Sequence, residues 1–247
     1  MTDAPYRILP DDPALRRLGL IVLQVDETVE ADLHRLIPAS AARLHVTRIA
    51  SGAELTPDTI AGMEADLTRA AALLPDARFD AIGYACTSAT AQLGADRVAA
   101  LIRAGRVARQ VTDPLGAVIA ALRQLGARSV ALVSPYIPAV AAPIRDALQA
   151  AGVAVPHAVT FGEKVEARVA RIDPDSIRDA AIAAQRACRA DCTFISCTNL
   201  RCLDILDAVE AETGAPALSS NQVLAWHMAR SAGVAPAPGA PGRLFRR

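Results

Sequence analysis

The stretch Phe79-Asp80-Ala81-Ile82-Gly83-Tyr84-Ala85-Cys86-Thr87-Ser88-Ala89-Thr90 decides how this chain is read. Phe79 to Ala85 is a short, nearly uninterrupted apolar run, the pattern of a strand buried on both faces of a parallel sheet. A thiol closes the run, and two hydroxyl residues with small side chains follow at a helix start. Unpaired backbone N–H groups at such a start bind anions and lower a thiol's pKa. Cys86 is therefore expected to be partly thiolate, with Thr87 and Ser88 cradling a carboxylate. The plainer alternative is a small buried cysteine at a strand end, followed by an ordinary Thr/Ser helix cap.

Working outward, the same arrangement recurs at Ile195-Ser196-Cys197-Thr198-Asn199, where Thr198 and Asn199 supply polar groups of the same kind. The two cysteines lie 111 residues apart. Asp26, after the apolar run Leu18 to Val25, and Tyr136, after the run Ser129 to Ser134, lie 110 apart. A third pair, Thr112 and Ser219, lies 107 apart. A repeat at offsets this similar indicates two copies of one unit. The expected fold class is α/β: two pseudo-symmetric, parallel-sheet, Rossmann-like domains with the active site in the cleft between them. The first domain is expected over 1–111 and the second over 112–220, with a helix over 221–232 packing back on the first and a tail over 233–247.

Weaker strand candidates are Leu44 to Arg48 and Val155 to Val159. Between the strands lie Ala/Leu-rich stretches at helical spacing, among them Pro57 to Leu74, Asp113 to Leu125, Asp175 to Arg189 and Asn221 to Ala232. Thr56-Pro57 and Asp173-Pro174 read as helix starts, and Gly126 and Gly152 as helix stops. In open parallel sheets ligands bind beyond the carboxyl ends of the strands. Asp26, Cys86, Tyr136 and Cys197 are thus expected at one functional edge, the cysteines approaching a common point from opposite sides. Pro135 and Pro138 bracket Tyr136 and stiffen it, so that it can donate to a substrate carboxylate. Asp26 can bind a substrate ammonium group or orient a thiol; the competing reading is a cap for the helix that holds Thr28 and Glu30.

Composition narrows the partners. The 247 residues carry 26 basic and 26 acidic side chains, with no basic cluster interleaved with aromatics. No nucleic-acid partner is expected, and a small molecule is. Lys164 is the only lysine, which leaves little room for Schiff-base chemistry. Residues 1 to 17 contain Asp3, Asp11 and Asp12 and no apolar core, so no secretory signal is expected, and no apolar run is long enough to span a membrane. The protein is expected to be cytoplasmic and its five cysteines free thiols at least in part. Cys188, Cys192, Cys197 and Cys202 lack the paired spacing of zinc knuckles, and His34, His45, His157 and His227 show no metal spacing. Neither a metal nor, in the absence of a Gly-rich phosphate loop, a nucleotide cofactor is expected. Exposed Ala-rich helices on a two-domain body lead us to expect a homo-oligomer.

With these residues in hand, the sequence resembles the aspartate/glutamate racemase superfamily, in particular its branch of maleate cis-trans isomerases and arylmalonate decarboxylases. The likeness runs from Gly19-Leu20-Ile21-Val22 through Thr28-Val29-Glu30, Thr56-Pro57, the Cys86 loop, Pro135-Tyr136, the Cys197 loop and Ser219-Ser220 to Gly242-Arg243-Leu244-Phe245. The resemblance implies that Cys86 and Cys197 form a catalytic pair, that Tyr136 contacts a substrate carboxylate, and that no cofactor is used. It implies glycine at the position of Cys86 in decarboxylases and asparagine at the position of Asp26 in maleate isomerases; Asp26 is closer to racemase-like proteins encoded with ectoine-utilisation genes. The expected activity is isomerisation or racemisation next to the carboxylate of a small carboxylic or amino acid. Two alternatives stand beside it: cofactor-free decarboxylation, and a small-carboxylate binding protein without turnover.

Overall fold

In the computed structural model, which describes residues 1, 3–10, 12 and 14–246, the chain forms two four-stranded parallel sheets wrapped by helices. Asp11, and Arg247 at the end of the expected tail, lie outside the described residues. The first sheet is built from β1 (Arg16–Leu23), β2 (Ala42–Ile49), β3 (Phe79–Ala85) and β4 (Ala108–Thr112), in the order β2-β1-β3-β4. The second repeats it with β5 (Ser129–Tyr136), β6 (Ala154–Glu163), β7 (Cys192–Ile195) and β8 (Ala217–Ser219), in the order β6-β5-β7-β8. The expected α/β class and its two-fold repetition are both present.

The central strands are apolar because both their faces are covered. Leu18, Leu20, Ile21 and Val22 on β1 and Ala81, Ile82, Tyr84 and Ala85 on β3 have no exposed surface, and Val130 to Val133 on β5 are equally sealed. Burying each Leu, Ile or Val side chain contributes about 1.5–3 kcal/mol. The outer strands β2 and β6 keep exposed positions along their length. In each sheet the chain runs from the second-placed strand to the edge and then back to its other neighbour, so the strand order reverses between β1 and β3 and between β5 and β7. The crevice that opens beyond such a reversal is where open sheets bind ligands.

Most helix signals are realised. Thr56 and Thr59 form a reciprocal capping box at α2 (Pro57–Glu64), Asp113 caps α6 (Pro114–Leu125) and Asp173 caps α9 (Pro174–Cys188). Gly126 ends α6 in the left-handed region. The single helix expected over 57–74 is two: Asp66 N–H turns back to the Met63 carbonyl at 3.2 Å, ending α2 before α3 (Leu67–Ala72) begins. After Cys86, α4 (Thr87–Leu93) stops at Gly94, whose φ of 90° only glycine adopts freely, and α5 (Ala95–Gly105) starts anew. The last long helix, α11 (Ser220–Ala232), packs on α6, on β3 and on α1 (Val29–Leu36). Gly83 makes this possible, since a Cβ there would lie 2.6 Å from Met228 Sδ. No helix among the described residues is long and apolar enough to cross a membrane.

Candidate active site

Both sheet reversals open on one cavity. It is lined from the first half by Leu23, Val25, Asp26, Cys86, Thr87 and Ser88, and from the second by Tyr136, Ile144, Glu166, Ser196, Cys197 and Thr198. The two cysteines, 111 residues apart in sequence, thus share one pocket. Of the residues singled out in the sequence, Asp26, Cys86, Thr87, Ser88, Tyr136, Cys197 and Thr198 line it, whereas Asn199 does not. The pocket is closed: about 10 Å³ are open to the centre of a water-sized sphere, room for one water and not for a four-carbon acid.

Cys86 follows β3 directly and caps α4, its sulfur accepting from Ala89 N–H at 3.4 Å, with Ser88 Oγ at 3.9 Å. Thr87 Oγ1 does not point its hydrogen-bonding capacity only at the pocket, since it shares a bond of 2.8 Å with Ser220 Oγ. Cys197 sits two residues beyond the end of β7. Its sulfur accepts from Asn199 N–H at 3.2 Å and shares a 3.0 Å hydrogen bond with the Tyr136 hydroxyl. Tyr136 was expected on a loop; it is the last residue of β5, opposite Glu163 across a register shift after Ser134. Proline at 135 has no N–H for the ladder, and the strand accommodates it as an irregularity instead of ending.

The expected thiolate is not what the closed pocket holds. Burial pushes the Cys86 thiol up to about 12, outweighing the lowering by Ala89 N–H and Ser88. Burial likewise pushes Cys197 well above the ordinary thiol range, with the Glu166 carboxyl adding to it and Tyr136 and Asn199 opposing it. The N–H groups at the helix start do act as the sequence reading supposed, but desolvation of a sulfur anion is the larger effect. Burial also raises the carboxyls of Asp26 and Glu166, and the charge of Asp26 raises Glu166 further.

Asn199 has a different task from the one expected of it. Its Oδ1 accepts from Glu27 N–H at 2.8 Å, while its Nδ2 donates to the Val25 carbonyl, the Glu166 carbonyl and Glu166 Oε2 at 3.1–3.3 Å. Thr28 Oγ1 donates to the Asn199 carbonyl at 3.0 Å, and Thr198 Oγ1 to the Ala85 carbonyl at 3.2 Å. Asn199 and Thr198 therefore rivet the second half to the first. Asp26 takes the capping reading, its Oδ1 accepting from Thr28 and Val29 N–H at 2.8 and 2.9 Å and fixing the entry to α1, and the residue also lines the pocket.

Two polar pocket residues had no role in the sequence reading. Glu166 opens α8 (Glu166–Val169), a single turn after β6 with no motif around it; two positions from Lys164, it offers only an acid in an otherwise unremarked loop. Ser196, wedged between β7 and Cys197, is fully buried and its hydroxyl finds no partner. Cys192 and Cys202 are buried in packing positions and Cys188 half-buried on α9, away from the pocket. Among the described residues no group of three or more His, Cys, Asp or Glu side chains is placed to hold a metal.

The model of the arylmalonate decarboxylase family matches residues 18–245. The chain belongs to that family. It is 29% identical to a maleate isomerase of Nocardia farcinica over 246 residues, 94% of this chain and 96% of that one. It is 32% identical to an arylmalonate decarboxylase of Bordetella bronchiseptica over 219 residues, 85% of this chain and 91% of the relative. Among solved structures, a cysteine-to-serine mutant of the Nocardia farcinica maleate cis-trans isomerase, with a covalently bound succinylcysteine intermediate, superimposes with a TM-score of 0.81 at 28% identity. That match covers 94% of this chain and 98% of the other. With relatives of both kinds aligned over nearly their whole lengths, the chain is an isomerase or a decarboxylase of this family.

Proposed function

We propose that this chain is a cofactor-independent isomerase acting at the carbon next to the carboxylate of a small carboxylic or amino acid, with Cys86 and Cys197 as the reacting pair. The observation that supports it is the sharing of one pocket by two thiols, each delivered by the strand end at its own sheet's reversal. Decarboxylation needs one proton delivered after carbon dioxide leaves, hence one thiol; exchange of a proton between two faces needs two.

For racemisation, the sulfur of one cysteine, as thiolate, takes the α-proton while the thiol of the other delivers its proton to the opposite face. The negative charge then rests on the second sulfur, and the next turnover runs in reverse. Ser88, Ser196 and Tyr136 are the hydroxyls of the pocket available to the carboxylate oxygens on which charge develops between the two transfers. For cis-trans isomerisation, a thiolate adds to the alkene carbon, the other thiol protonates the neighbouring carbon, the resulting single bond rotates, and both steps reverse to release the isomer. The Nocardia farcinica succinylcysteine is an adduct of this second kind. Burial favours the protonated form of both thiols, so ionising one of them is the step the site has to make easier before either reaction begins.

Incubation of a panel of dicarboxylic and amino acids in D2O, followed by NMR, tests the reading. Deuterium at the α-carbon marks proton exchange, and a mass increase on a cysteine peptide marks alkene addition. Cys86→Ser and Cys197→Ser are each expected to lower turnover by about a thousandfold. Full activity in Cys86→Ser alone, with carbon dioxide released, would make the protein a one-thiol decarboxylase; full activity in both variants would remove the paired-thiol reading altogether.

A further inference from the structure

The pocket holds an electrostatic imbalance that the two-thiol chemistry does not explain. Asp26 is 4% exposed and Glu166 2% exposed, and both line the cavity. Each spends one carboxylate oxygen on the fold, Asp26 Oδ1 on Thr28 and Val29 N–H and Glu166 Oε2 on Asn199. Among the described residues the other oxygen of each, Asp26 Oδ2 and Glu166 Oε1, is buried with no partner in hydrogen-bonding geometry, although the Thr198 side chain near Asp26 and the Tyr136 hydroxyl near Glu166 act to lower the two carboxyls. The Ser196 hydroxyl, fully buried on the same wall, is likewise unpartnered. Buried polar atoms are nearly always satisfied, so three orphans around one cavity indicate a polar occupant.

The charge of that occupant follows from what the walls lack. Among the described residues no Lys, Arg or His lines the pocket. Arg48, whose charge acts on Asp26, commits its guanidinium to the main-chain carbonyls of Leu23, Gln24 and Asp26 and to the Glu30 carboxylate. Two sealed carboxyls without a cation are costly as anions, and a ligand bearing only carboxylates adds like charge beside them. An ammonium group does the opposite: it donates up to three hydrogen bonds and brings the missing positive charge. An Asn at position 26 could cap α1 through the same Oδ1 without any charge, so the cap alone does not account for an acid there.

We propose that the substrate carries a protonated amine next to its carboxylate, and that Asp26 Oδ2 and Glu166 Oε1 bind that ammonium while Ser196 and the other pocket hydroxyls bind the carboxylate. This narrows the substrate class of the two-cysteine site and rests on that reading of it. A further consequence is that the entering cation sits beside both sulfurs, where it favours the thiolate that the empty pocket suppresses.

The test is saturation-transfer NMR on the full chain with matched ligands: D- and L-aspartate against succinate, D- and L-glutamate against glutarate, and alanine against propionate. The wild-type protein is expected to bind at least one aminated acid more than tenfold tighter than its amine-free partner. Asp26→Asn and Glu166→Gln, which keep the oxygens that hold Thr28, Val29 and Asn199, are each expected to weaken that ligand by about tenfold or more while leaving the amine-free partner within about threefold. Unchanged melting temperatures exclude misfolding as the cause. Equal or tighter binding of the amine-free partners, binding of neither set, or variants that bind the aminated ligand as well as wild type would each overturn the proposal. Because binding is read without turnover, activity surviving in both Cys86→Ser and Cys197→Ser would defeat the reacting-pair reading and leave the binding ratio to decide this one.

Discussion

The two cysteine loops occupy equivalent places in repeated sheets, yet they are held in opposite ways. Cys86 belongs to a loop supported chiefly by its own half: it caps the helix that follows it, and it meets the other half at the Thr87–Ser220 contact, at the Thr198–Ala85 bond and where α4 packs on α6 and α7 (Pro138–Ala150). The Cys197 loop has no helix directly behind it. It hangs on bonds from the other half: Asn199 on Glu27 and Val25, Thr198 on Ala85, and Asn221, whose Nδ2 bridges the Thr198 carbonyl and Asp32 Oδ2 at 2.8 and 2.9 Å. The phenol of Tyr136 rests on one sulfur and not on the other. Duplication thus fixes where the thiols lie, and divergence of the loops decides how each is supported and how hard it is to ionise.

The strongest way to break the comparison is Asn199→Ala. It removes the bonds to Glu27, Val25 and Glu166 together and strands Glu166 Oε2, so we expect a loss of about 2–3 kcal/mol, read as a lower midpoint in urea unfolding. The equivalent change in the Cys86 loop, Ser88→Ala, should cost well under half of that; equal losses would mean that the loops are supported alike. Next is Tyr136→Phe. Its hydroxyl lowers the Cys197 thiol, so its removal should slow alkylation of Cys197 by about tenfold at fixed pH and leave Cys86 unaffected, as read by peptide mapping with iodoacetamide. In the unmodified protein both thiols, pushed up by burial, should be labelled slowly near neutral pH and both rates should keep climbing above pH 9; a plateau below pH 9 for either would show a thiolate that the closed pocket does not disfavour.

The smallest effect concerns Asp32, which steadies the Cys197 loop through Asn221. Burial raises its carboxyl from 3.8 to about 6, so the folded chain binds this proton more tightly than the unfolded one. Its contribution is therefore full below pH 4 and is lost as pH rises through 6. Asp32→Asn, which keeps an oxygen for Asn221, should flatten the stability profile over that window; an unchanged slope would show that another group controls it.

How far the sequence reached can be traced residue by residue. Leu18 to Val22, Phe79 to Ala85 and Ser129 to Ser134 announced themselves because parallel strands covered on both faces must be apolar throughout. β4 escaped because Arg109 and Gln110 interrupt an edge strand, and β8 because three residues make no pattern. The pocket walls contributed by strand ends were legible from the repeat. Glu166 was not, since its partner Asn199 lies 33 residues away and nothing local marks either. The protonation state of the thiols was read with the wrong sign: helix-start N–H groups are visible in sequence, whereas the closing of one half on the other, which excludes water from sulfur, is a property of the assembled fold.

The close approach at Gly83 has a bearing on how the molecule comes into being. Met228 and Leu224 lie against that glycine, three residues ahead of Cys86, so the strand that bears the first thiol is roofed by a helix that follows the whole second sheet in the chain. During synthesis the first sheet must wait, one flank bare, until that helix has left the ribosome. A nascent chain cut short before Ser220 would present that bare flank to its neighbours, and the site matures only once α11 has docked.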